Sequence, residues 1–170
     1  MQKYDKKYLQ MAQIWASNSY AKRHQVGALI VKDNMIISDG YNGMPKGFDN
    51  CCEDITCTCQ WVYGCTYTAE PIEKSIDIDR CCGCSYAVLK TKPEVLHAEA
   101  NAITKLAKCS NTAEGATLYI TLSPCIECAK LIIQAGIKRV VYIESYKGDP
   151  GVKLLNKAGI EVEQIENIND

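Results

Sequence analysis

The chain has 170 residues, 47% of them apolar, and a formal net charge of −1. That length suits one domain, 1–170, with a sizeable core, and so small a charge excludes a strong overall field toward nucleic acid or anionic lipid. Eleven cysteines, an odd number, stand in a chain with no basic-apolar-small leader and no bilayer-length apolar run. The expectation is a protein of the cytoplasm (host cytoplasm if phage-encoded) whose cysteines serve metal binding or catalysis and not a disulfide framework.

Residues 2–18 place Tyr4, Tyr8, Met11, Ala12 and Trp15 at helical spacing and predict an amphipathic helix. "VGALIV" (26–31) and "MIISDGY" (35–41) read as two strands, with "KDN" as the hairpin turn. The pattern is helical from 97 to about 108 and strand-like over "ATLYITLS" (116–123). "PCIECAKLIIQAG" (124–136) predicts a helix with Pro124 in its first position, Ser123 as N-cap and Gly136 past its end. "RVVYIE" (139–144) is a strand, "PGVKLLNKAG" (150–159) a helix closed by Gly159, and "IEVEQI" (160–165) a last strand. This order implies an α/β fold of three layers, α/β/α, around a mixed five-stranded sheet. Residues 47–93 hold eight of the eleven cysteines and show no sustained period. They read as an insertion, at about 48–93, that is functional or separately stabilised.

"HAEANAI" (97–103) opens a helix with two side chains that are costly to bury alone. The helix starting near 124 supplies partners. Cys125 and Cys128 lie three apart on one face at a helix start, where thiolates are favoured. With His97 they make three ligands, the count of a catalytic zinc site that keeps one position for water, and two thiolates and an imidazole suit zinc. Glu99 is then the group that handles the water's proton. Residues two apart point about 200° apart on a regular helix, so His97 and Glu99 share a site only if it lies off the helix tip. A lone Cys-x-x-Cys is more often structural or redox-active, but His-x-Glu followed by Pro-Cys-x-x-Cys is the signature of zinc nucleobase deaminases.

In the insertion, "NCCEDITCTC" (50–59) and "RCCGC" (80–84) read as two metal knuckles. Cys57, Cys59, Cys81 (or Cys82) and Cys84 could form a closed structural site. Eight cysteines exceed one tetrahedron, so Cys51, Cys52 or Cys65 could substitute or be buried.

With "KRHQVGALIVKD" (22–33), "GYNGMPKG" (40–47), "HAEANAI" and "ATLYITLSPCIECAKLIIQAGIKRVVYIESY" (116–146) taken together, the chain resembles the deoxycytidylate deaminase family, phage-like and bacterial members included. The likeness runs over most of 10–165 and is weakest in 48–93. It implies the cytidine deaminase-like fold and zinc-dependent hydrolysis of dCMP to dUMP and ammonia, on the way to thymidylate. It also implies that the Ala98 amide and the Ser123 carbonyl hold the pyrimidine edge and that Asn42 contacts the sugar. Arg23, Tyr146 and Ser17 are its candidates for the phosphate. A second zinc in the insertion is common in the family, though some relatives draw a ligand from just before the first strand, where this chain has Ala21 and Lys22. The family further implies a homo-hexamer activated by dCTP and inhibited by dTTP. The effector would lie partly on Gly43, Met44, Pro45 and Lys46, with Mg2+ on the triphosphate. Two other readings stay open: a zinc deaminase for another cytosine nucleotide, a nucleoside or a polynucleotide, and a non-catalytic zinc-binding interaction module. A polynucleotide editor calls for a basic stripe, which scattered lysines do not make; an interaction module has no need of Glu99.

Overall fold

The computed structural model describes residues 1–57 and 87–168. Helix α1 (Asp5–Ala16) is followed by β1 (Gly27–Lys32), β2 (Met35–Tyr41), β3 (Glu53–Cys57) and β4 (Ala87–Thr91). Then come α2 (Ala98–Leu106), β5 (Thr117–Leu122), α3 (Ile126–Gln134), β6 (Arg139–Glu144), α4 (Pro150–Lys157) and β7 (Glu161–Gln164). Five strands form one mixed sheet in the order β2-β1-β5-β6-β7. β1 is antiparallel to both its neighbours, whereas β5, β6 and β7 run parallel.

Alternation along the strands sorts the core into two layers. Ile30, Leu118, Ile120 and Val140 face one way and pack against Ala102 of α2, Ile132 of α3 and Leu155 of α4. Leu29, Val31, Tyr119 and Val141 face the other way, against Leu9 and Ala12 of α1 and Ile165 and Ile168 near the C-terminus. The three-layer α/β/α reading therefore holds. So does the hairpin: Asp33 (φ 50°) and Asn34 (φ 61°) are both left-handed, the two-residue turn that matches strand twist. Gly136 (φ 76°) and Gly159 (φ 78°) follow the ends of α3 and α4 as expected.

Two expectations change. Helix α3 begins at Ile126 with Cys125 as its N-cap, so Pro124 lies outside it and Ser123 is not the cap. The Ser123 hydroxyl is taken by other groups, described below. The flanks of the cysteine-rich insertion also carry order that its sequence does not announce. β3 and β4 pair antiparallel, from Glu53 opposite Thr91 to Cys57 opposite Ala87.

Candidate active site

Two helix starts meet at one cleft. His97 is the N-cap of α2, with extended backbone (φ −73°, ψ 155°), and Cys125 is the N-cap of α3 (φ −74°, ψ 172°). The Cys125 thiol does the work of a capping hydroxyl, accepting from the Cys128 amide at 3.5 Å. Because a cap residue leaves the helix on extended backbone, the His97 side chain escapes the helical phase. It can therefore share the space off the tip with Glu99. Both line the cleft, with Ala98 between them and Cys125 and Ser123 opposite.

His97 Nδ1 is 3.5 Å from Cys125 Sγ and 3.4 Å from Cys128 Sγ, and the three ligand atoms all lie within 4.8 Å of one another. Zinc bonds of about 2.3 Å to sulfur and about 2.0 Å to nitrogen, set at tetrahedral angles, place sulfur and nitrogen about 3.5 Å apart. The donor set fits zinc in chemistry and spacing. Among the described residues no other group of three or more His, Cys, Asp or Glu is placed to hold a metal.

The electrostatics agree. Hydrogen bonds from Cys128 and then His97 draw the Cys125 thiol down to about 3, while the same bond to Cys125, with burial, pushes the Cys128 thiol up. The hydrogen bond to Cys125 raises His97. Thiolate is thus favoured at Cys125, the form that binds metal, and binding there releases protons. Glu99 is 4% exposed, and burial raises its carboxyl to about 7, suited to proton transfer near neutrality.

The other expected residues divide. Ala98 and Ser123 are buried in the cleft wall, and Tyr146 and Asn42 line it. The Asn42 side chain is already engaged: Oδ1 accepts from the Val26 amide (2.8 Å) and Nδ2 donates to the His24 carbonyl (2.8 Å). It pins the segment leading into β1. Arg23 is exposed and donates to Thr91 Oγ1 at 3.4 Å; it is not among the residues lining the cleft. Ser17 is also absent from the cleft lining; it follows α1, where its hydroxyl donates to the Ile14 carbonyl at 2.7 Å. Gly43 exchanges backbone bonds with Leu96 (3.1 and 2.9 Å), next to His97. Met44 packs on Ala21, Cys52 and Val95, and Pro45 accepts from the Phe48 amide. Lys46 is exposed. Cys52, 1% exposed, is a core residue of that small cluster. The Cys57 side chain and all of Cys59, Cys81, Cys82 and Cys84 lie outside the described residues.

Sequence reading missed His24, Glu53, Thr91 and Val95 as cleft residues. Glu53 and Thr91 come from the edges of the insertion and Val95 from just after it, so these edges wall the cleft. Glu53 is 8% exposed and its Oε1 accepts from the Lys22 and Arg23 amides (3.0 and 3.3 Å). No periodic signal marks an acidic residue used this way.

Comparison with known proteins agrees with this geometry. Residues 2–144 match the family model of the cytidine and deoxycytidylate deaminase zinc-binding region. Deoxycytidylate deaminase of Enterobacteria phage T4 is 40% identical over 174 residues, spanning 95% of this chain and 89% of the phage protein. The human deoxycytidylate deaminase is 36% identical over 160 residues, covering 90% of this chain and 74% of its own. A crystal structure of dCMP deaminase from the cyanophage S-TIM5, in complex with dCMP and dUMP, superposes with a TM-score of 0.72. It is 34% identical and covers 97% of this chain and 99% of that one. With a family model matched over 2–144 and relatives covered almost end to end, this chain belongs to the cytidine and deoxycytidylate deaminase family.

Proposed function

We propose that the chain hydrolyses dCMP to dUMP and ammonia, feeding thymidylate synthesis. The observation that carries this reading is the convergence of His97, Cys125 and Cys128 on one point beside buried Glu99. His97, Cys125 and Cys128 would hold a zinc ion, which would lower the pKa of the attacking water. Glu99 accepts a proton from that water and delivers it to ring nitrogen 3 of the cytosine. Water oxygen adds at carbon 4; Glu99 then takes the remaining proton from the new C4 hydroxyl and passes it to the amino group, which leaves as ammonia as the carbonyl forms, so one carboxylate serves as base and then acid. The Ala98 amide, at the first turn of α2 where helix amides lack helical partners, and the Ser123 carbonyl orient the pyrimidine edge. Asn42 stands at the sugar.

Specificity for the monophosphate rests on Tyr146 in the cleft wall, with Arg23, which donates to Thr91 of the cleft lining, and Ser17 as further candidates. A charge-assisted bond is worth about 1.5–3 kcal/mol, or about ten- to hundredfold in efficiency.

Regulation by dCTP as activator and dTTP as inhibitor, the triphosphate carrying Mg2+, in a homo-hexamer, belongs to the same reading. Its support is the Gly43–Leu96 pairing, which couples the 43–46 loop to the residue before His97. An effector that favours one arrangement of this loop can bias the site by its differential affinity. A second, structural zinc on Cys57, Cys59, Cys81 or Cys82, and Cys84 would account for the cysteine-rich segment.

Ammonia release from dCMP, dCTP, deoxycytidine and single-stranded DNA tests the reading. We expect dCMP to be strongly preferred; equal efficiency on deoxycytidine refutes the phosphate contacts, and no release from dCMP refutes the substrate. Saturation curves with each effector, sizing in solution and zinc counting (two per chain expected) test the rest.

A further inference from the structure

The turn from β6 into α4 is strained and sits against the cleft. Lys147 (φ 43°), Gly148 (φ 75°) and Asp149 (φ 54°) are left-handed in succession. Left-handed backbone at a residue with a side chain is costly, and it persists where the surroundings over-determine it. Here the over-determining group is the Asp149 carboxylate. Its Oδ1 accepts from the Ser123 hydroxyl at 2.5 Å and from the Tyr146 amide at 3.1 Å. The Ser123 oxygen in turn accepts from the Tyr146 amide at 2.8 Å. Three residues from two loops thus close one small ring of hydrogen bonds around a carboxylate. Two residues on, the backbone of Gly151 presses on the metal-bearing segment: a Cβ there would lie 2.0 Å from the Pro124 carbonyl oxygen and 2.7 Å from that of Cys125.

Ser123 and Tyr146 both line the cleft, and in the proposed reaction they stand at opposite ends of the nucleotide, base and phosphate. Neither position follows from β5 or β6 alone, because both residues lie beyond the strand ends. From this juxtaposition, and resting on the dCMP reading above, we propose that Asp149 is a positioning residue for dCMP: it fixes Ser123 against the base and Tyr146 toward the phosphate as one unit. It touches no reacting atom, so its removal weakens binding more than chemistry.

Two substitutions separate the carboxylate from the backbone. Asp149→Asn tolerates the left-handed conformation and keeps an acceptor oxygen. Asp149→Gly adopts that conformation freely and has no acceptor. For the zinc-loaded protein, Asp149→Gly is expected to raise KM for dCMP about ten- to hundredfold, the loss of hydrogen bonds to a charged group. Its kcat should stay within about threefold, the pattern of binding lost equally in ground and transition state. Asp149→Asn should restore KM to within about threefold of the parent. Ser123→Ala, which breaks the ring at its other member, should raise KM similarly, and the double variant should be no worse than the worse single one. A parental KM in Asp149→Gly overturns the proposal. So does a loss of zinc or a fall in melting temperature that tracks the rise in KM, since that marks a merely structural turn. A parent protein that releases no ammonia from dCMP overturns the substrate reading and this proposal with it, whereas an active parent with an indifferent Asp149→Gly variant overturns this proposal alone.

Discussion

Arg139 lays its guanidinium along both oxygens of Asp5, with Nη1 and Nη2 each 2.9 Å from one of them. The first residue of α1 is thereby tied to the first residue of β6, and neither side chain is more than 5% exposed. Tyr119 donates to the same carboxylate at 2.7 Å, and Glu161 and Glu163 cover the outer edge of the guanidinium. Removing Asp5 leaves the buried guanidinium only the more exposed carboxylates of Glu161 and Glu163 and takes away the acceptor of the Tyr119 hydroxyl. Asp5→Ala should cost about 3–5 kcal/mol of stability, a fall of about 6–20 °C in melting temperature for a domain of this size. Calorimetry of parent and variant checks this, and a fall under about 2 °C would contradict it.

The same cluster sets acid sensitivity. Burial works against the Asp5 carboxylate, but hydrogen bonds from Arg139 and Tyr119 outweigh it and hold its pKa below the usual carboxylate value. Glu163 is lowered too, burial opposing and the N-terminal ammonium and Arg139 favouring its charge. A depressed carboxylate pKa means that the unfolded chain takes up the proton first as pH falls. The contribution of both groups is complete above about pH 4, the range of unfolded carboxylates, and is lost as pH drops through the folded values. Urea midpoints from pH 7 to 3 should therefore fall at the acid end, and less steeply for Asp5→Asn.

Glu99→Gln should bind zinc as the parent does and lose several orders of magnitude in kcat, because the three ligands remain and the proton carrier is gone. Elemental analysis with dCMP turnover checks it. Comparable turnover in a zinc-loaded variant would remove Glu99 from its role.

Cys125→Ser and Cys128→Ser should instead lose metal and activity together. A hydroxyl at neutral pH is a poor substitute for a thiolate toward zinc. Zinc counted after gel filtration separates this class from Glu99→Gln: a full complement of metal in either serine variant would show that the thiols do not hold it.

Gly40→Ala should damage the site from outside it. A Cβ at Gly40 would lie 2.2 Å from the Ala98 carbonyl oxygen and 2.6 Å from the Ala102 nitrogen. Both are backbone atoms of α2, so the helix that carries His97 and Glu99 has to move. Misplacement of about 1 Å costs on the order of a hundredfold. We expect kcat/KM for dCMP to fall at least tenfold with weaker zinc retention in a chelator titration, and parental values would show that α2 does not rest on this glycine.

The frame was legible because its signals are periodic. Two-fold alternation in β1 and β5 and helical spacing in α1 and α2 report burial directly, and Gly136 and Gly159 report the left-handed ends of helices. The metal triad was legible because both halves sit at helix starts. What sequence could not convey was which side chain caps α3. Serine is the better cap by preference, yet Cys125 takes the position and Ser123 serves Asp149 and Tyr146. That choice depends on α4 arriving against Pro124 and Cys125, a contact between segments distant along the chain. The β3–β4 pair was hidden for a similar reason, since its two strands lie far apart in sequence and neither alternates clearly.

That pair also bears on how such a protein can change. Cys57 and Ala87 stand directly opposite in the ladder, about 5 Å apart. The base of the ladder is fastened separately, by the Lys92 amide on the Cys52 carbonyl (2.9 Å) and by Glu53 on the Lys22 amide (3.0 Å). Closing a longer loop across fixed ends costs only in proportion to the logarithm of its length. The stem therefore lets Glu53 and Thr91 keep their register in the cleft wall at little cost in closure entropy, whatever length of chain joins Cys57 to Ala87.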